Sequence, residues 1–196
     1  RVAAEGMYFE EWDPNVHTCE PFDPPADWTR WLAIDYGYAA PFCCLWLARS
    51  PEGRVHVYRE VYATDLRDEQ QADLILARSV DERIVRRVAD PSMFAERREQ
   101  GKPSIAHVYA RRGVPLERGT NQRRAGWNAV RSALAHEDGP PRLQVHRRAC
   151  PNLIRTFPSM VRDPLDPEDV ADMIDRKKTE DHALDCLRYA LMSEGQ

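Results

Sequence analysis

Three β-prone runs follow one another within thirty-four residues: "RWLAIDYG" (30–37), "FCCLWLARS" (42–50) and "RVHVYREVYA" (54–63). Each is rich in branched and aromatic side chains, and "PEG" between the second and third is a turn-like connection, so these two read as a hairpin. Three antiparallel strands at the front of a sheet leave apolar faces that later elements have to cover. "LRDEQQADLILARSV" (66–80) is the first candidate: Leu66, Ala72, Ile75, Leu76 and Val80 keep roughly helical spacing, with Asp65 or Thr64 placed to cap the N-terminus. "RIVRRVADPS" (83–92) is again a strand, and the strand–helix–strand order implies a crossover to a parallel position. Pro91 ends its ladder.

The remainder alternates in the same way. Helices are expected over 104–113 and 121–136, the latter carrying Trp127, Val130 and Leu134 on one side and interrupted by Gly126. A strand over 141–149, a helix over 150–161 disrupted at Pro158, and a terminal helix in "KKTEDHALDCLRYALM" complete the chain. That order predicts an α/β fold, a mixed sheet covered by helices. Residues 1–27, acidic and proline-rich, read as a linker or wrapping arm ahead of a domain over 28–196.

Composition narrows the function classes. The chain has 196 residues, 42% hydrophobic and 31% charged, as a folded soluble domain has. No apolar run approaches the roughly 20 residues that span a bilayer. The start lacks a signal peptide and an initiating Met, which suggests an excised fragment. Five cysteines without disulfide-framework or CxxC spacing fit reduced, intracellular conditions. The net charge of −4 hides an asymmetry: twelve basic against four acidic residues over 97–148, and nine acidic against three basic over 163–185. Such segregation suits a protein that holds a polyanion on one side and cations on another, although a patchily charged surface has the same composition.

Three carboxylates stand out by context. Asp35 follows the apolar run "WLAI" and precedes Tyr36-Gly37, where glycine permits a tight backbone path. Asp90 closes an apolar strand, and Asp185 interrupts the apolar face of the last helix. An Asp at a strand end is also a common turn or cap acceptor; in mid-helix, where Asp185 stands, capping does not apply. If the strands carrying Asp35 and Asp90 are neighbours, the two lie side by side and the terminal helix can bring Asp185 to them. Clustered carboxylates repel unless a cation compensates, and an oxygen-rich set without cysteine favours Mg2+ or Mn2+. Two-metal hydrolysis, with Asp35 bridging, is the chemistry such a set suits. Asp181 and His182 lie four and three residues before Asp185, on nearby helix faces. Asp181 could equally be a helix N-terminal charge, and His182 a ligand, a water-positioning group or a solvated side chain.

Taken together, "LAIDYG", "RRVADPS" and "KKTEDHALDCLRYAL" resemble the nuclease domain of the large terminase subunit of tailed bacteriophages, the DNA-packaging motor. The resemblance covers roughly residues 28–192, and "AEGMYFEEW" resembles the passage out of the preceding motor domain. It implies an RNase H-like fold and metal-dependent cleavage of double-stranded DNA concatemers, in the host cytoplasm during virus assembly. It also implies Asp35, Asp90 and the "DHALD" element as acidic site residues, with Asp185 favoured and Asp181 and His182 retained, and Mg2+ or Mn2+, two ions, as cofactor. Arg111, Arg112, Arg118, Arg123, Arg124, Arg147, Arg148, Lys177 and Lys178 become candidate phosphate contacts of a sequence-independent, salt-sensitive kind. The portal, the small terminase subunit and other motor subunits are the partners implied for the full-length protein, the isolated domain being monomeric. No G-x-x-x-x-G-K-[ST] sequence is present, so ATP hydrolysis is not expected of this chain. A junction resolvase or related nuclease of the same fold, and a non-catalytic module that grips DNA or docks on the portal, are the alternatives.

Overall fold

The computed structural model describes residues 6–97, 101–137, 139–174 and 177–194. Its centre is the expected meander, which follows the short strand β1 (Thr18–Cys19): β2 (Thr29–Asp35), β3 (Phe42–Arg49) antiparallel to it, and β4 (Val55–Ala63) antiparallel to β3. Helix α2 (Asp68–Arg78) leads to β5 (Ile84–Ala89), which pairs with β2 in parallel. β6 (Glu117–Arg118) extends the sheet beyond β5, and β7 (Leu143–His146) lies parallel between β4 and β1. The seven-stranded order is β1-β7-β4-β3-β2-β5-β6. A two-stranded hairpin, β8 (Met173–Ile174) and β9 (Lys177–Lys178), stands apart from it. β1, β6 and this hairpin, all two-residue strands, give no sequence signal.

β2 is apolar at consecutive positions because both of its faces are covered. Trp31 and Ala33 enter a core with Trp127, Leu184 and Leu187, whereas Leu32 and Ile34 enter a second core with Ala72, Ile75 and Tyr109. The first core lies under α4 (Arg123–Leu134), α5 (Pro151–Thr156) and α6 (His182–Met192); the second lies under α2 and α3 (Ile105–Arg111). As expected, α5 gives way at Pro158 to a 3-10 turn over Phe157–Ser159. The expected cap of α2 is replaced. Asp65 sits in the preceding turn at φ 61°, and the Gln70 side chain accepts instead from the Arg67 N–H at 3.0 Å.

The N-terminal arm packs as part of the first core. Tyr8, Phe9 and Trp12 are buried, Trp12 stacks on Phe157 with ring centroids 4.0 Å apart, and Phe9 meets Trp127 edge-on at 5.9 Å. After α1 (Pro14–His17), capped by the Asp13 side chain, β1 joins the sheet edge.

Candidate active site

Strand parity decides where the carboxylates point. Along β2 alternate residues share a face, so Asp35 continues the Trp31–Ala33 side, beneath α6. Along β5 Val88 belongs to that same core and Ala89 to the other, which places Asp90 on the side of Asp35. Ala89 is the register partner of Ile34, and the Asp90 N–H donates to the Ile34 carbonyl at 2.9 Å. The two acids therefore close neighbouring parallel strands at their carboxyl ends, where open α/β sheets commonly bind ligands. The chain can turn away after Asp35 because residue 37 is glycine: a Cβ there would lie 2.3 Å from the Ala40 carbonyl oxygen.

α6 supplies the third wall. Leu184, Leu187, Ala190 and Leu191 are buried against the sheet, and Asp181 occupies the N-cap position without a side-chain cap bond. His182 Nδ1 lies 2.8 Å from Asp35 Oδ2. Asp185, one turn into the helix, accepts from Arg188 Nε at 2.6 Å. The Arg188 guanidinium in turn covers the Tyr189 ring at 4.3 Å and the Trp127 ring at 5.3 Å. Sequence reasoning misses Arg188 because it reads as one more interruption of an apolar face. Gly126 reads as a defect of α4, but a Cβ there would stand 2.9 Å from Arg188 Cδ, so glycine makes room for this arginine. Asp90 Oδ1 accepts from the Ser92 N–H at 2.8 Å, the cap role open to any strand-end aspartate.

Burial pushes the Asp35 carboxyl up to about 7; the Asp185 and Asp90 charges push the same way, and the His182 bond opposes them. Asp185 is also raised, first by burial and then by Asp181, with Arg188 and Arg123 opposing. The bond to Asp35 raises His182 against its own burial. Among the described residues, no three of these side chains bring a ligand atom each within 4.8 Å of one another. The site is thus a set of neighbouring oxygen donors held by His182, Ser92 and Arg188, less tightly gathered than the sequence expected.

The charge asymmetry of the sequence is partly neutralised in space. Arg123 reaches Asp172 at 2.7 Å and Asp169 and Asp181 at 3.4 Å, and Arg124 pairs with Asp166 and Glu168. Arg112 is bonded to Asp73 at 2.8 Å, and Arg147 to Thr18 at 2.7 Å with Glu20 at 3.5 Å. The acidic 163–172 segment neutralises the basic α4 surface. Arg118 lies over the Phe94 ring at 4.9 Å. Arg111, Arg148 and Lys178 are exposed, and the side chain of Lys177 falls outside the described residues. A cleft of about 1000 Å³ opens beside Tyr36, directly after Asp35. Arg67, Arg97, Lys102 and Arg111 line it together with Arg112, Asp68 and Glu69, at the same strand ends but on the α2–α3 face, opposite the face that Asp35 shares with α6. Sequence reasoning does not single out the first three: Arg67 stands alone, and Arg97 and Lys102 lie at the start of the long basic stretch over 97–148.

No protein-family model matches the sequence, nor does any curated protein. Solved structures do match. The large terminase of a thermophilic bacteriophage superposes with a TM-score of 0.78 at 18% identity, over 98% of this chain and 46% of that one. The P22 large terminase nuclease domain gives 0.74 at 18% identity, over 96% and 92%. The large terminase nuclease from thermophilic phage G20c with bound magnesium gives 0.67 at 11% identity, over 97% and 98%. The chain thus has the fold of a large-terminase nuclease domain, an RNase H-like mixed sheet flanked by helices, as the sequence predicted. It spans about half the length of the first of these proteins and almost all of the two nuclease domains. Among the described residues, no helix is long and apolar enough to cross a membrane.

Proposed function

We propose that this chain is the nuclease domain of a tailed-phage large terminase, an endonuclease that cuts double-stranded DNA concatemers during genome packaging. The observation that carries the reading is a group of carboxylates, buried Asp35 and adjoining Asp90 at the ends of two central parallel strands, with Asp185 on the helix packed over them. Such a group calls for positive charge, and the donors around it are hard oxygens. Asp35, Asp90, Asp185 and Asp181 would hold Mg2+ or Mn2+, two ions in number. Bound there, the metal supplies Lewis-acid activation of water and stabilisation of charge at the cleaved phosphate.

The remaining roles belong to the chain. His182 fixes one Asp35 oxygen. Ser92 N–H fixes one oxygen of Asp90, and Arg188 one oxygen of Asp185. The cleft beside Tyr36, at the same strand ends on the α2–α3 face, would take the duplex backbone, since Arg67, Lys102 and Arg111 offer charge to phosphate rather than shape to base edges, and cutting is therefore weakly sequence-dependent. Of the arginines named from the sequence, Arg111 and Arg148 suit this role better than Arg112, Arg123, Arg124 and Arg147, which the chain's own carboxylates engage. The likeness to the magnesium-bound nuclease domain supports a divalent-metal site. The portal and the small subunit are proposed partners of the whole protein.

Incubation with supercoiled plasmid tests the reading. Nicked and linear forms are expected with Mn2+ or Mg2+ and not with EDTA, and loss of cutting in Asp35→Asn with an unchanged circular dichroism spectrum. Absence of cleavage with both metals would leave a DNA-gripping module, and a four-way junction cut far faster than linear duplex would indicate a resolvase.

A further inference from the structure

A second cluster of ligating side chains lies at the other side of the sheet, across β1, β7 and β4. Cys19 on β1 is the register partner of His146 on β7, and His56 on β4 is the partner of Gln144, two residues before His146. Cross-strand partners and residues two apart share a face, so the three side chains converge. One ligand atom from each lies within 4.8 Å of the others. No sequence spacing announces this set, because its members are contributed by three strands far apart in the chain.

The two histidines lack the partners that buried polar groups normally have. His146 is fully buried and neither ring nitrogen is hydrogen-bonded; His56 is 8% exposed and its Nδ1 is also without a partner. Three of the five buried side-chain polar atoms without a partner among the described residues thus fall on these two rings. The rings are held rather than loose: Phe22 lies over His146 with centroids 4.6 Å apart, and Trp28 packs on His56 at 5.2 Å. Cys19 is only half-buried, which leaves an entry for an ion on its side. One thiolate with two imidazoles is a borderline-soft donor set, suited to zinc and unlike the oxygen site at Asp35. Ligands about 2.0–2.3 Å from a zinc ion lie at most about 4.6 Å apart, and the three atoms here lie within 4.8 Å of one another.

We propose that Cys19, His56 and His146 bind a Zn2+ ion, with water in the fourth position, and that the ion clasps β1 and the N-terminal arm to the sheet. Binding forms a sulfur–zinc bond and releases the Cys19 thiol proton to solvent. β1 is only two residues long and pairs with β7 alone, so the clasp acts where backbone pairing is least extensive. The inference does not depend on the nuclease reading.

Titration of the metal-free full chain with Co2+ tests it, since the oxygen site also takes divalent ions but has no sulfur. A thiolate-to-cobalt charge-transfer band in the near ultraviolet is expected, saturating at a single equivalent and bleached by Zn2+. Zinc at a hundredfold excess over its Kd should raise Tm by roughly 5–10 °C. Cys19→Ser, at a half-exposed position, should lose both the band and the shift, whereas Asp35→Asn should keep both. Should Cys19→Ser not fold, His56→Gln serves instead and is expected to weaken zinc binding at least tenfold. A wild-type protein with no such band, or a band that persists in Cys19→Ser, would overturn the assignment.

Discussion

At the scale of single residues, the main consequence lies in Asp35. Its carboxyl is raised from an ordinary value of 3.8 to about 7 in the folded chain. The folded state therefore binds more protons than the unfolded state between these values. The associated stability is fully present below about pH 4 and is lost as pH rises through about 7. In EDTA, stability should fall over that window. At about 1.4 kcal/mol per pH unit for a fully coupled proton, the loss is on the order of a few kcal/mol. Asp35→Asn should flatten the slope and leave the variant more stable than wild type at pH 8, and added Mg2+ should restore the wild type there. Urea unfolding at a series of pH values measures both, and a wild-type slope unchanged by the substitution would mean that Asp35 is not the strained group. DNA contacts can be separated at this scale as well. Arg111→Ala, on the cleft, should weaken duplex binding and reduce the salt slope by about 1. Arg124→Ala, paired with Asp166 and Glu168, should leave that slope nearly unchanged.

At the scale of elements, function depends on how closely α4 approaches α6. Gly126 is buried and admits the Arg188 stem, and Arg188 in turn holds Asp185. Gly126→Ala adds a methyl against Arg188 Cδ and Cβ, at 2.9 and 3.1 Å. Overpacking of this kind costs about 1–3 kcal/mol, and alanine regains up to about 1 kcal/mol of helix propensity. A net loss of roughly 1–2 kcal/mol in urea titration is expected, with cleavage falling more than stability because Asp185 loses its orientation. A variant as stable and active as the parent would show that the two helices part easily.

The whole molecule is one sheet with a core on each side, and the N-terminal arm belongs to one of those cores. Trp12 is buried against Phe157 and His17. Trp12→Ala should cost about 3–5 kcal/mol, and a chain beginning at residue 28 should lose cooperative unfolding, as calorimetry would record. If that shortened chain melts like the full one, the arm is an accessory. The sequence by itself determined the order of the long strands and helices, the turn at Gly37 and the end of β5 at Pro91, and it singled out three aspartates as site candidates. These follow from local periodicity, turn chemistry and the rarity of a carboxylate in an apolar run. Only the tertiary structure decided what those groups meet. It paired β2 with β5 so that Asp35 and Asp90 adjoin, and set His182 on Asp35. It also turned the basic α4 surface against the acidic 163–172 segment, and gathered Cys19, His56 and His146 from three strands. Ion pairs and ligand sets between residues far apart in the chain leave no periodic trace, because register and helix docking alone bring them within bonding distance.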